Sequence, residues 1–118
     1  MKITHKISET KAGMLGGTAF LVSIRADVST DEKIILDKFG ANSAFEIDAE
    51  RFRDVKGANS GYLNLSNFTS GAEFKLPNIQ QASDFLDQVV AGLQRVKSQI
   101  DATSRCADKL DQEFTQEL

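Results

Sequence analysis

The chain has 118 residues, of which 41% are hydrophobic and 26% are charged, which suits one soluble domain and excludes global disorder. Its net charge of -3 argues against a protein whose whole surface binds phosphate backbones. Cys106 is the only cysteine, which excludes an intrachain disulfide and a cysteine metal cluster.

The first 28 residues have the pattern of an antiparallel β-hairpin. Apolar and polar residues alternate over residues 2–8, as expected for a half-buried strand, and His5 falls on the apolar side. A second strand is predicted from Leu15 to Val28, with clear alternation from Phe20 onward. The pair Gly16-Gly17 inside that strand predicts a bulge or a sharp bend.

A short helix is predicted after the hairpin. Ser29 can cap its N-terminus, and Glu32, three residues further on, completes a capping box. Gly40 lies where a left-handed C-cap residue is expected, so the helix should have about ten residues. Its buried side is predicted to consist of Ile34, Ile35, Leu36 and Phe39.

The segment that follows gives weaker signals. Phe45 and Ile47 fit a short strand. Residues 48–55 fit either a helical turn capped by Asp48 or a charged edge strand, and both interpretations stay open. Residues 56–61 have the composition of a mobile loop.

A second hairpin is predicted before the last third of the chain. Residues 62–68 have the pattern of a strand, residues 69–71 of a turn, and residues 73–76 of the partner strand. Pro77 ends this strand because it cannot donate a ladder hydrogen bond.

The element order is therefore β-β-α-β-β-α, with an extra element near residues 45–55 left open, which predicts an α+β fold. We expect two layers, an antiparallel β-sheet packed against a long C-terminal helix. We also expect a single domain over residues 1–118. Residues 1–77 form its sheet and short helix, and residues 78–118 form the long helix.

The last third of the chain has helical spacing. Gly92 is its only glycine, no proline follows Pro77, and Asn78 or Ser83 can cap the helix. Apolar or small residues recur every three or four positions, with the seven-residue period of a coiled-coil seam. These residues are Ile79, Ala82, Leu86, Val89, Leu93, Val96, Ile100, Thr103, Ala107, Leu110 and Phe114.

A continuous helix from Asn78 to Gln116 would be about 58 Å long, whereas a compact domain of this size is about 35 Å across. Its first half has a broad apolar face over residues 85–96, which suits packing on a sheet. Its second half has only a narrow seam, which suits another helix. We therefore expect a homo-oligomer, with a dimer favoured, and an interface of Ile100, Thr103, Ala107, Leu110 and Phe114.

A helix broken near residues 101–104 is the alternative. Thr103 or Ser104 would then cap a last short helix that folds back on the domain. Thr103 and Ala107 are weak seam residues, which favours this alternative. The oligomeric state separates the two interpretations.

Seven basic residues indicate a second class of function. Three lysines and one arginine could share the outer face of the first hairpin, and a second basic group surrounds Phe52. Such a face can hold single-stranded nucleic acid or RNA, although acidic residues lie among these positions and no recognised nucleic-acid motif is present. The candidate contacts are Lys2, Lys6, Lys11, Arg25, Arg51, Arg53 and Lys56.

The sequence shows no set of residues with a catalytic or metal-binding pattern. His5 is the only histidine and has no histidine, cysteine or carboxylate pattern beside it. Cys106 lacks a base nearby in sequence that would activate its thiol. We expect no enzymatic activity, no catalytic or metal-binding residues and no cofactor.

The expected function is that of a small accessory protein that acts by protein–protein contact and self-associates through its C-terminal helix. Binding of nucleic acid by the first hairpin is the alternative, and the identity of any other protein partner is left open. The first residues lack the apolar region of a secretory signal, and the longest apolar run is too short to cross a bilayer. We therefore expect a cytoplasmic protein that does not enter a membrane.

Overall fold

The computed structural model of the chain describes residues 1–13 and 16–118. Its α+β class and its long C-terminal helix confirm the predicted fold class. The elements in chain order are β1 (Lys2–Lys11), β2 (Thr18–Asp27), α1 (Thr30–Phe39), β3 (Ala44–Glu46), β4 (Tyr62–Asn64), a 3-10 turn (Leu65–Asn67), β5 (Ala72–Leu76) and α2 (Ile79–Ala107).

The first two strands form the predicted hairpin, and β2 has a strand on each side. The main sheet is antiparallel with the order β1-β2-β5. Gly16 and Gly17 lie in the connection before β2, with φ angles of 92° and 88°, so the predicted bulge inside the strand is wrong. Glycine is favoured there because the left-handed region is strained for residues with a Cβ. Leu15, the predicted start of this strand, lies outside the described residues.

The predicted pairing of residues 62–68 with residues 73–76 is wrong. β5 pairs with β2, and β4 pairs with β3 in a separate two-stranded sheet. β4 has only three residues because Asn64 caps the 3-10 turn, where its side chain accepts a hydrogen bond from the Ser66 N–H. The chain then passes β2, where the Phe68 carbonyl accepts a hydrogen bond from the Ala26 N–H.

One contiguous core lies between the main sheet, α2 and the segment that precedes β4. Phe85 of α2 lies at its centre, with ring centroids 4.9 Å from Phe74 and 5.1 Å from Phe52. Residues 48–61 form successive turns. The first is capped by the Asp48 carboxylate, which accepts a hydrogen bond from the Arg51 N–H, as one of the two interpretations predicted. Ala58 is fully buried, so the segment predicted as a mobile loop contributes to the core.

The first helix has the predicted ends but only part of the predicted buried side, since Ile35 and Leu36 pack against the core. Ser29 and Glu32 form the capping box, and Gly40 has a left-handed C-cap conformation. Ile34 is exposed, however, and Ile35, Leu36 and Phe39 are only half-buried. The one buried residue of this helix is Glu32. A ten-residue helix at the side of the domain shields little surface, so its apolar face stays partly open to solvent.

Candidate interaction site

The first 22 residues of α2 are held on the domain. The Asn78 side chain caps the helix by accepting a hydrogen bond from the Gln81 N–H at 2.8 Å. Gly92 allows close packing, because a Cβ there would overlap the Phe45 ring. The buried residues of the helix follow one face and end at Ile100: Ala82, Phe85, Val89, Gly92, Leu93, Val96 and Ile100.

We call residues 79–100 of α2 its supported part. A cluster of charged side chains links α2 to α1 near the end of this supported part. The Glu32 carboxylate lies 2.7 Å from the Met1 ammonium and 2.9 Å from the Lys97 Nζ. The Lys97 Nζ also lies 3.0 Å from an Asp101 carboxylate oxygen, one turn further along α2. The sequence predicts Glu32 only as a helix cap. The signal that was missed is the lysine facing it, which cannot be found without knowing that the two helices pack together.

The pKa of Glu32 reports the strength of this cluster. Burial by itself raises that pKa, but hydrogen bonds from the Met1 ammonium, Ser29 and Lys97 outweigh burial and lower it from 4.5 to about 2. The same contact with Glu32, followed by that with Asp101, raises the pKa of Lys97. Glu32 is therefore ionised at neutral pH and serves as a structural anchor for both helices.

The helix continues beyond this anchor without a break. It passes through residues 101–104 and ends at Ala107, so both the predicted break and the predicted end at Gln116 are wrong. Hydrogen bonds of the Asp108 and Leu110 N–H groups close the last turns, and Asp111 has a left-handed φ of 59°. That conformation ends the helical path, and aspartate tolerates it better than most residues do.

The structure divides the predicted interface residues into two groups. Ile100 is 2% exposed and belongs to the core of its own chain, and Thr103 and Ala107 are half-buried. Leu110 and Phe114 lie beyond α2 and are 56% and 67% exposed. The interface itself is untested and stays a prediction, but Ile100 is already covered by its own chain.

We call residues 101–118 the C-terminal segment. Leu118 is a further exposed large apolar residue in it, which sequence reasoning missed although it continues the spacing of four from Leu110 and Phe114. Residues 108–118 contain four acidic residues and one lysine. The segment thus combines regularly spaced apolar side chains with negative charge.

The structure brings only some of the basic candidates together. In the hairpin register Arg25 lies beside Thr4, between Lys2 and Lys6, and these residues share the outer face of the sheet. Lys75 of β5 shares that face and was not predicted. Lys11 has the opposite parity in β1, so the prediction that it shares this face is wrong. Arg25 pairs with Asp27, its Nε 3.2 Å from a carboxylate oxygen.

The second basic group offers no aromatic surface. Phe52 is fully buried, so it cannot stack on a base. Arg51 forms an ion pair with Asp84 of α2, and Arg53 lies 3.9 Å from Asp54. Lys56 is exposed on the turns that follow. These side chains lie in a mixed-charge surface, and the predicted interleaved aromatic residue belongs to the core.

The remaining candidates and the comparisons point to no known family. His5 and Cys106 are exposed, and the described residues contain no group of three or more side chains that could hold a metal ion. Among the same residues, no helix combines the length and hydrophobicity needed to cross a bilayer. The chain matches no protein family, no curated protein and no solved structure in the comparisons made.

Proposed function

We propose that this chain is a non-catalytic protein-interaction protein that associates in pairs through its C-terminal segment. The observation that supports the proposal is the exposure of Leu110 and Phe114, which continue the helical spacing of α2 beyond its last residue, Ala107. A contiguous exposed apolar surface is typical of interaction sites, and helical spacing places these two side chains on one face.

In the proposed pair, residues 108–118 continue α2 by about three turns. The helical spacing then places Thr103, Ala107, Leu110 and Phe114 along one stripe, which packs against the same stripe of a second copy. Ordering these residues costs conformational entropy, so the pair should be weak and should depend on concentration.

The charge of the C-terminal segment predicts how the pair responds to salt. Four acidic residues against one lysine in residues 108–118 repel the same residues of the second copy. Salt screens repulsion between exposed charges, so added salt should strengthen the pair. Nucleic-acid binding has the opposite dependence, because salt weakens contacts with phosphates.

Circular dichroism at increasing protein concentration tests the proposal. The wild-type chain should gain the helical signal of about ten residues on association, since one copy alone ends its helix at Ala107. The double variant Leu110→Ser with Phe114→Ser should lose this gain. Ile34→Ser is the matched control, because it removes an exposed large apolar residue from α1 instead.

The result that would overturn the proposal is a helical signal that does not change with concentration. An equal gain in the double variant and the wild type would do the same, since the apolar residues of the segment would then be unnecessary. A gel shift with single- and double-stranded probes at low salt checks the alternative function. The outer-face residues of β1, β2 and β5 include no aromatic side chain, and we expect no shift.

A further inference from the structure

β1 is a long edge strand whose second side is open. It pairs with β2 over ten residues, and no described strand lies on its other side. Its burial is low, with Ile3 and Ile7 half-buried on the core face and Lys2, Lys6 and His5 exposed. An exposed edge of this length is a template for another strand.

The hydrogen bonds of the sheet show which backbone groups point outward. In an antiparallel pair, hydrogen-bonded and non-hydrogen-bonded residue pairs alternate. Ala12, the residue after β1, donates its N–H to the Gly17 carbonyl at 3.2 Å. By the alternation of the ladder, the backbone N–H and C=O groups of the even-numbered residues of β1 therefore point towards β2. Ala26 of β2 donates its N–H to the Phe68 carbonyl, on the side away from β1. Ile3 lies opposite Ala26, so Ile3 and Ala26 form a non-hydrogen-bonded pair. The odd-numbered residues of β1 therefore present free N–H and C=O groups at the edge.

We propose that β1 pairs antiparallel with β1 of a second copy, about a two-fold axis at Ile7. The two three-stranded sheets then form a single six-stranded sheet. In this register Ile7 lies opposite itself, His5 lies opposite Glu9 of the second copy, and Ile3 lies opposite Lys11. Residues 3–11 then form about ten hydrogen bonds between the copies.

The side chains favour this register over its neighbours. Lysines commonly protect edge strands from pairing, but here Lys6 faces Ser8 of the second copy and no like charges lie directly opposite. If the pairing register shifts so that the axis lies at Lys6, the two Lys6 side chains lie opposite each other. If it shifts so that the axis lies at Ser8, Lys11 lies opposite His5 of the second copy and Glu9 lies opposite its Ile7. The complementarity of the strand with itself is the reason for choosing a second copy as the occupant.

The other edge of the sheet is less suited to pairing. β5 has only five residues, and Pro77 follows it directly. Pairing between β1 strands closes about a two-fold axis and leaves no free long edge. This inference goes beyond the proposed function, because β1 and the C-terminal segment are different surfaces and either pair can form without the other.

Sedimentation equilibrium of the double variant Leu110→Ser with Phe114→Ser tests the edge pairing alone, because that background lacks the apolar contacts of the C-terminal segment. The variant should still form a dimer. Adding His5→Glu sets two carboxylates against each other twice per dimer and should weaken it about ten-fold. Adding Glu9→Lys as well sets opposite charges against each other and should return the dissociation constant to within about two-fold.

His5 and Glu9 are both exposed, and three residues separate them along β1, so neither change disturbs the core or the other residue in the same chain. A background variant that stays monomeric overturns the inference. A dimer that His5→Glu does not weaken, or that the added Glu9→Lys does not rescue, also overturns it. The helical signal that tests the C-terminal pair is a separate readout, so either proposal can fail without the other.

Discussion

The two parts of the last third of the chain have the same spacing of apolar residues and different surroundings. From Ala82 to Ile100 the apolar stripe of α2 is buried or, at Leu86, half-buried, whereas Leu110 and Phe114 are exposed to solvent. Periodicity therefore indicates the capacity of a segment to form an amphipathic helix. Burial of the stripe depends on what lies opposite it.

The buried part of α2 is about as long as the two longest strands of the sheet. A strand of ten residues, such as β1 or β2, is about 33 Å long. The 22 residues from Ile79 to Ile100 form a helix of about the same length. The chain extends 73 Å along its longest axis, about twice the diameter of a compact domain of this size. The buried face of α2 ends at Ile100, and Leu110 and Phe114 lie beyond the end of the helix.

The largest expected effect contrasts a buried leucine with an exposed one. Leu93 is fully buried and lies on the core face of α2, so Leu93→Ala should lower the free energy of unfolding by about 2–5 kcal/mol. Leu110→Ala should change it by less than about 0.5 kcal/mol at concentrations below the range of association, because Leu110 is 56% exposed and little packing is lost. Urea unfolding followed by circular dichroism measures both. Equal effects would show that the two parts of the stripe are packed alike.

The polar anchor at the end of the supported part should make stability depend on pH. The pKa of Glu32 is about 2 in the folded chain and 4.5 ordinarily, so its contribution is complete above pH 4.5. It is lost as the pH falls from 4.5 to 2. The loss should be on the order of 2 kcal/mol, after allowance for the partial exposure of Lys97 to solvent.

Unfolding measured at several pH values checks this dependence. Glu32→Gln should lower stability at pH 7 and flatten the profile between pH 4.5 and 2. Glu113→Gln changes the same kind of side chain in the C-terminal segment, is exposed, and should leave the profile unchanged. If both variants kept the wild-type profile, other carboxylates would be responsible for the acid sensitivity.

Local signals in the sequence were enough to predict the helix ends that depend on local chemistry. The capping box of Ser29 and Glu32 and the left-handed Gly40 occur as predicted, and Asn78 is the one of the two candidate residues that caps α2. Strand pairing could not be obtained in the same way. Phe74 pairs with Val22 more than 50 residues away, and no local feature of β5 distinguishes that partner from a neighbouring strand.

The candidate site was predictable only as a spacing pattern. The end of α2 at Ala107 has no glycine or proline to mark it, and the left-handed residue is Asp111, a residue type that also occurs within helices. The burial of Ile100 and of Phe52 depends on which elements pack against α2, among them α1 and the turns before β4, and that packing is a property of the assembled fold. Lys97 as the partner of Glu32 could not be predicted for the same reason, because their contact depends on how α1 packs against α2.

The smallest expected effect is the most informative about the C-terminal segment. Phe114→Ala should change the free energy of unfolding by less than about 0.5 kcal/mol when protein concentration is kept below the range of association. Deleting a phenylalanine ring from a core costs about 3–5 kcal/mol, so the two situations are well separated. At high concentration the same variant should become less stable than the wild type, because pairing stabilises only a chain that retains the ring. A cost above about 1 kcal/mol at low concentration would show that Phe114 packs on its own domain, and residues 108–118 would then belong to the supported part of the chain.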